Sequence, residues 1–246
     1  MSIPKIIHYC WFGGGPISEA DRKCIESWQK FCPDYRIMRW DETNFDLDCS
    51  PYVRQAYDAG RYAFVSDYVR LAVLYEYGGI YLDTDVELVR PLDELLELPG
   101  FMGFQTNNEV ATGLGFGARK GNSVVQALLR DYDALDFLKA DGSADLTPCP
   151  ERNTRVLQAL GVRVDGTRQS IAEMEIFPAE YFCPMEFATR KLRVTPKTYS
   201  IHRYAESWKP KPSAVSRILQ RLLKKHYYTW YCPLRGRIEG RLRKRT

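Results

Sequence analysis

Apolar positions along the first eighty residues fall into two alternating rhythms, short runs of β character and longer runs at helical spacing. Residues 3–9 and 35–40 read as strands, and residues 20–30 between them as a helix. Residues 62–77, YAFVSDYVRLAVLYEY, repeat Val65, Val69, Ala72 and Leu74 at helical spacing inside a mostly apolar run. That pattern predicts a buried helix, and Gly78 and Gly79 supply its stop. Ile80, Tyr81 and Leu82 follow as a strand, and Pro91 is placed to open the next helix at its first turn. Residues 101–104 and 114–116 are further strand candidates, with helices expected near 122–135 and 153–160. The alternation predicts an α/β protein with no internal repeat.

A chain of 246 residues, 45% apolar, is long enough for one large domain or one domain with an appendage. The start, MSIPKIIHYCWFGG, lacks the features of a cleaved leader, and no run reaches the roughly 18 apolar residues of a spanning helix. A cytosolic chain is expected. The seven cysteines are scattered and form no C-x-x-C pair, which predicts free thiols.

Charge divides the chain more sharply than hydropathy does. Residues 209–246 carry twelve Lys or Arg against a single acid, Glu239, while the preceding 208 residues hold 23 bases against 30 acids. A body of residues 1–208 and a basic C-terminal segment of residues 209–246 are therefore expected to have different partners. Within that segment Val215, Ile218, Leu219, Leu222, Leu223, Tyr227 and Trp230 form a helical stripe bordered by Arg217, Arg221, Lys224 and Lys225. An amphipathic basic helix of this kind suits an anionic membrane surface, each base contributing about 1 kcal/mol before screening. Packing of the stripe on the acidic body is the alternative. No nucleic-acid recognition motif accompanies the charge, so no nucleic-acid partner is expected.

Candidate chemistry begins with paired carboxylates. D-x-D occurs at Asp46/Asp48, Asp83/Asp85 and Asp131/Asp133. In a helix positions i and i+2 diverge by about 200°, which argues against the third pair, and the first lies in a polar stretch that reads as a surface loop. Asp83 and Asp85 end a buried strand. There an extended backbone would turn both carboxylates to one side, outside the strand's C-terminal end where ligands of open α/β sheets collect. Two carboxylates suit Mg2+ or Mn2+, and such an ion neutralises charge developing on a diphosphate leaving group.

The run SDYVRLAVLYEYGGIYLDTD that ends in this pair closely resembles the signature of the sugar-binding DXD glycosyltransferases. These comprise glycosyltransferase family 32, with its yeast initiating α-mannosyltransferases and small bacterial capsular-polysaccharide enzymes, and more distantly the glucosyltransferase domains of large clostridial toxins. The likeness extends to IPKIIHYCWFGG and, more loosely, to SIHRYAESW at 200–208. It implies a GT-A-like fold with a central mixed sheet flanked by helices, and metal-dependent, retaining transfer of a hexose from a nucleotide sugar. UDP-galactose or UDP-glucose leads as donor, GDP-mannose is the alternative, and the acceptor is expected to be lipid-linked or an oligosaccharide.

By the same resemblance Asp85 is the direct ligand of Mn2+ or Mg2+, while Asp83 binds ribose or sugar and reaches the metal through water. Asp67 and Arg70 match the sugar-binding pair of the S-D-x-x-R motif, and their i, i+3 spacing lets both face one pocket. Trp11 matches a tryptophan that stacks on the donor base, and Tyr81 is a further donor contact. His202, Ser207 and Trp208 match a segment that closes over the diphosphate, with His202 or Glu206 as the extra metal ligand. His8 reads as a satisfied structural histidine. The glycine-rich residues 112–118 are expected to border the acceptor's entry, although close β packing explains them as well. Two other functions compete: a phosphatase, from the likeness of D-T-D-V-E-L to a haloacid-dehalogenase nucleophile loop, and a non-catalytic nucleotide-sugar or membrane binder. A missing downstream G-D-x-x-x-D disfavours the first, and the intact acidic pair the second.

Overall fold

The computed structural model describes residues 2–205. The basic segment at 209–246, and with it Glu206, Ser207 and Trp208, lies outside the described residues. The described chain divides into a main unit, residues 2–185 with 193–205, and a short segment, Glu186–Leu192. In that segment Glu186 and Lys191 are tied backbone to backbone.

In the main unit the elements run β1 (Ile6–Cys10), α1 (Glu19–Phe31), β2 (Arg36–Trp40), α2 (Pro51–Asp58), α3 (Tyr62–Tyr77), β3 (Gly79–Tyr81) and β4 (Val86–Leu88). They continue as β5 (Gly100–Phe104), β6 (Val110–Ala111), β7 (Phe116–Ala118), α4 (Ser123–Asp133), α5 (Cys149–Ala159), β8 (Gln169–Ile171), β9 (Met174–Phe177), α6 (Ala179–Phe182) and β10 (Ser200–His202). The main sheet has the order β2-β1-β3-β7-β5-β9-β8, with β6 added to β5. Strands β2, β1 and β3 are parallel, β7 is antiparallel to both its neighbours, and β5 and β9 are again parallel. This is the central mixed sheet flanked by helices that the sequence predicts. A second, two-stranded sheet pairs β10 with β4 in antiparallel register, His202 opposite Val86.

Two apolar clusters cover the two faces of the main sheet, and strand alternation assigns each residue to one of them. Ile80 and Phe101 join the cluster built with Trp28 of α1 and Phe182 of α6. Their neighbours Tyr81 and Met102 join the opposite one, with α2, α3, α4 and α5. Helix α3 is buried along most of its length because Val65, Val69, Leu71 and Leu74 leave no exposed stripe. Leu71→Ala would remove about 2–5 kcal/mol of stability. The helix ends at Gly78, whose φ of 65° is left-handed, and Gly79 continues at φ 107°. A Cβ on Gly79 would stand 2.9 Å from His8 Nε2, so both glycines are required where α3 turns into β3.

Several sequence expectations are corrected. The first strand starts at Ile6 rather than residue 3. Residues after Pro91 form one 3-10 turn, Asp93–Leu95, and not an α-helix; the four residues between it and β5 leave no room for more. The strand expected at 114–116 begins at Phe116, since Leu114 and Gly115 precede the pairing. Helix α2, opened by Pro51, was not anticipated, and α5 starts at Cys149, four residues early. None of the six described cysteines is in a disulfide. No helix among the described residues is long and apolar enough to cross a membrane.

Candidate active site

The site assembles at the C-terminal ends of β1 and β3. Asp83 continues the alternation of β3 beyond its last residue, so it falls on the same side as Tyr81, the side of α3. There its Oδ1 accepts from Tyr81 Oη at 3.1 Å and from Arg70 Nη2 at 3.0 Å. Asp83 N–H donates to the Gly113 carbonyl at 3.0 Å. Gly113 admits the carboxylate, because a Cβ there would lie 1.9 Å from Asp83 Oδ2. Asp85 is presented differently from the sequence expectation. Residues 83–85 are not extended: Val86 N–H donates back to the Asp83 carbonyl at 3.0 Å, and this tight turn between β3 and β4 replaces strand pleat in directing the two carboxylates.

Strand β10 then closes on Asp85. The Asp85 carboxylate accepts from His202 Nε2 at 3.2 Å and from Ala205 N–H at 2.8 Å, and its carbonyl accepts from Arg203 N–H at 2.9 Å. Burial raises the Asp85 carboxyl, but the charge and hydrogen bond of His202 together with backbone N–H donors, Ala205 among them, outweigh it and hold the group below the ordinary carboxylate range. Burial likewise lowers His202, and Asp85 more than reverses the effect, so the imidazole is raised. The other nitrogen of His202, Nδ1, is buried without a partner.

Asp83, Asp85 and His202 each offer one ligand atom within 4.8 Å of the others, the only such group among the described residues. Two carboxylate oxygens and one imidazole nitrogen suit Mn2+ and Mg2+, the imidazole favouring the former. The donor set therefore fits the divalent cation that the motif implies. Of the two ligands left open at 202 and 206, His202 is the one the described residues bring to the pair.

Beside this group lies a buried polar cluster on α3 and α5. Arg70 is nearly enclosed, and its Nη2 is 3.1 Å from Asp67 and 3.0 Å from Asp83, with the guanidinium carbon 4.9 Å from the Tyr81 ring centre. Asp67 and Arg70 are thus on the same side of α3 and ion-paired, as their i, i+3 spacing allows. Burial pushes the Asp67 carboxyl up to about 6 despite Arg70, whereas Arg70 itself is held firmly charged. Both pKa values rise, which weakens the charge of Asp67 but secures that of Arg70, because one guanidinium serves two carboxylates and the Asp83 charge opposes that of Asp67. Arg70 is thus a fixed cation, and Asp67 is the member of the pair less firmly held as an anion.

Sequence reasoning missed the far side of this cluster. Cys149, Thr112 and Asn153 are all buried there. They lie well beyond the motif in the chain and carry no pattern of their own, apart from Thr112 heading the glycine-rich stretch. The later glycines of that stretch support the packing explanation instead: a Cβ on Gly115 would meet Phe182, and one on Gly117 would meet Phe101.

Trp11 follows β1 directly and is partly buried, with its N–H donating to the Trp40 carbonyl at 2.9 Å and its Nε1 to the Gly15 carbonyl at 2.6 Å. The loop it opens is tied by a hydrogen bond from Gly13 N–H to Glu42. His8 is structural: its Nδ1 accepts from Trp40 Nε1 at 3.0 Å, so Nε2 carries the proton donated to the Gly78 carbonyl at 2.9 Å. Burial drives its pKa down to about 4. The other two acidic pairs are occupied locally. Asp46 caps a 3-10 turn and Asp48 pairs with Arg54, while Asp131 pairs with Arg155 and Asp133 accepts from Tyr68. A separate cavity of about 480 Å3 between α5 and the loops at 107–109 and 164 contains none of the expected site residues.

Comparison with known proteins bears on the same segment. Residues 18–101 match the family described as glycosyltransferase sugar-binding region containing DXD motif. Inositol phosphoceramide mannosyltransferase 3 of Schizosaccharomyces pombe is 32% identical over 144 residues, 55% of this chain and 39% of that protein. Mannosyl phosphorylinositol ceramide synthase SUR1 of Saccharomyces cerevisiae is 31% identical over 107 residues, 41% of this chain and 27% of that protein. The matched part thus spans well under half the length of either relative. Among solved structures, the PaToxG glycosyltransferase aligns over 64% of this chain and 69% of its own, at 22% identity and a TM-score of 0.48.

Proposed function

We propose, for a glycosyltransferase whose residues 18–101 place it in the DXD sugar-binding family, divalent-metal-dependent transfer of a hexose from a nucleotide sugar to a lipid-linked or glycan acceptor. The observation that carries this reading is the convergence of Asp83, Asp85 and His202 beside the enclosed Asp67/Arg70 pair. Asp85, with Asp83 and His202, would hold Mn2+ or Mg2+, which when bound would supply positive charge against the departing diphosphate. Asp67 and Arg70 orient the sugar through its hydroxyls, Trp11 stacks on the base, and Tyr81 buttresses Asp83. Ser207 and Trp208, a few residues beyond β10 in the sequence, are assigned to the diphosphate. No side chain is assigned as a general base, because in retaining transfer the leaving phosphate accepts the proton of the incoming hydroxyl.

Mannose is the sugar printed in the names of both yeast relatives, which supports a GDP-mannose donor as strongly as the motif supports UDP-galactose or UDP-glucose. Their names also carry a phosphorylinositol-ceramide type of acceptor, which supports a lipid-linked acceptor here. A basic segment of residues 209–246 that docks on an anionic, cytoplasm-facing membrane surface would bring the enzyme to such an acceptor, for example in surface-polysaccharide synthesis.

Donor hydrolysis tests the reading. The purified chain is given UDP- and GDP-hexoses with Mn2+, Mg2+ or EDTA, and binding is followed in parallel by calorimetry. Metal-dependent turnover of one donor, lost in EDTA, is expected; no metal-dependent binding of any donor would sink the proposal. Co-sedimentation with anionic but not neutral vesicles, reversed by salt, is the outcome expected for the membrane surface.

A further inference from the structure

Cys149 stands in the first turn of α5, and four polar groups of the buried cluster converge on its sulfur. Asn153 Nδ2 lies 3.1 Å from Sγ, Thr112 Oγ1 3.4 Å and Arg70 Nη1 3.7 Å, and the thiol also acts on the Asp67 carboxyl, pulling it down against burial. The protons can be assigned from this geometry. Burial pushes the thiol up to about 12, so it is a neutral S–H. Asp67 can only accept from it while ionised, and the Arg70 and Asn153 nitrogens can only donate to sulfur. Asn153 Nδ2 also donates to Thr112 Oγ1 at 3.0 Å, which leaves the Thr112 hydroxyl proton for Sγ. The sulfur thus touches Arg70 directly and acts on Asp67, the two members of the pair.

The same short segment reaches the metal group. Thr112 touches Cys149, and Gly113 next to it accepts the Asp83 N–H. Arg70 closes the circuit by bridging Asp67 and Asp83. Without the thiol, Arg70 Nη1 would lose the sulfur it faces, and Asp67 an influence that holds its carboxyl down against burial. In a buried site a carboxylate short of donors shifts or protonates rather than staying in place.

We propose that Cys149, supported by Thr112, is a positioning residue for donor-sugar recognition: it fixes the Asp67 carboxylate and the Arg70 guanidinium in the orientation that receives the sugar hydroxyls. This inference rests on the donor-binding reading above. It concerns the sugar half of the donor and not the nucleotide, whose expected contacts at Trp11 and the metal group lie elsewhere.

The test compares two ligands on the full chain with Mn2+ present: the nucleotide sugar that the wild type turns over, and the corresponding nucleoside diphosphate. Cys149→Ala is expected to raise KM and Kd for the nucleotide sugar about tenfold while leaving nucleoside diphosphate affinity within twofold. Cys149→Ser, whose hydroxyl can donate to Asp67 and accept from Arg70 and Asn153, should recover most of that loss. Thr112→Val removes one hydroxyl at nearly constant volume and should give a smaller shift, about threefold, in the same direction; it carries the test if Cys149→Ala does not fold. Equal weakening of both ligands, no weakening, or a serine variant no better than alanine would overturn the proposal. A wild type that binds no nucleotide sugar would instead overturn the functional reading on which it rests.

Discussion

The acidic turn and the buried cluster sit side by side yet are built on opposite principles. At the turn, Asp83 and Asp85 are near neighbours in the chain, and a strap at 202–205 closes on Asp85 through one side chain and two backbone N–H groups. In the cluster, Asp67 and Arg70 come from α3, Cys149 and Asn153 from α5, and Thr112 from the segment after β6. In the first, His202 supplies the counter-charge of Asp85, while Asp83 draws on Arg70 of the cluster. The second is a tertiary device in which one guanidinium serves two carboxylates. A change in the turn should therefore strike chemistry and spare the fold, whereas a change in the cluster should disturb geometry and stability together.

Asp85→Asn offers the sharpest contrast. It keeps the shape of the side chain but removes the charge facing His202 and the hard oxygen pair a cation needs. Turnover is expected to fall at least a thousandfold, with a melting temperature close to wild type and metal-dependent binding lost. A variant with normal turnover would take Asp85 out of the mechanism. Removing Arg70 should show the opposite balance. Arg70→Met leaves the buried Asp67 and the partly exposed Asp83 without their shared cation, a change that costs about 3–5 kcal/mol, so the melting temperature should drop by many degrees. Little change in melting would mean that Asp67 and Asp83 are held by something other than that guanidinium.

Gly113→Ala joins the two regions. The added methyl would have to displace the Asp83 carboxylate, which lies 1.9 Å from the ideal Cβ position. Misplacement of a site group by about 1 Å can cost a hundredfold in rate. A loss of that order in kcat/KM is expected, with weaker metal affinity and nearly unchanged urea stability. Full activity would show that the Asp83 position is not critical.

The same contrast explains what the sequence made legible. The α3 helix, its glycine stop, the short strand and the acidic pair could be read from consecutive residues, because buried-helix spacing and a strand end are local patterns. His8 was also legible as structural, though its partners Trp40 and Gly78 were not. The presentation of Asp85 was misread: side-chain parity in a strand was assumed across a stretch that bends at Thr84, and only the Val86 to Asp83 hydrogen bond reveals the turn. Cys149 and Asn153 left no local signal, and Thr112 and Gly113 only the glycine-rich run they open, since each matters for what lies across from it in the fold. The helix expected after Pro91 failed for a related reason. A proline permits a helix start, but the entry into β5 a few residues later decides the length.

The smallest effect expected is on stability against pH, and it sets His8 against Asp67. His8 is held neutral with its pKa lowered to about 4, against an ordinary value near 6.5. As pH falls from about 6.5 to 4 the unfolded chain gains a proton that the folded chain refuses, so stability is lost over that window, by about 3 kcal/mol. Asp67 is raised to about 6, against an ordinary 3.8. The folded chain takes up that proton first, so stability is gained as pH falls from about 6 to 3.8, by about the same amount. The two contributions oppose each other and nearly cancel in the wild type. Separate variants should expose them in urea unfolding at pH 6.5, 5 and 4, without metal. His8→Gln should grow more stable relative to wild type as pH falls, and Asp67→Asn less stable. Profiles that run parallel to wild type in both variants would mean that neither group titrates differently in the folded chain, and with that the assignment of Asp67 as the loosely held acid of the cluster would fail.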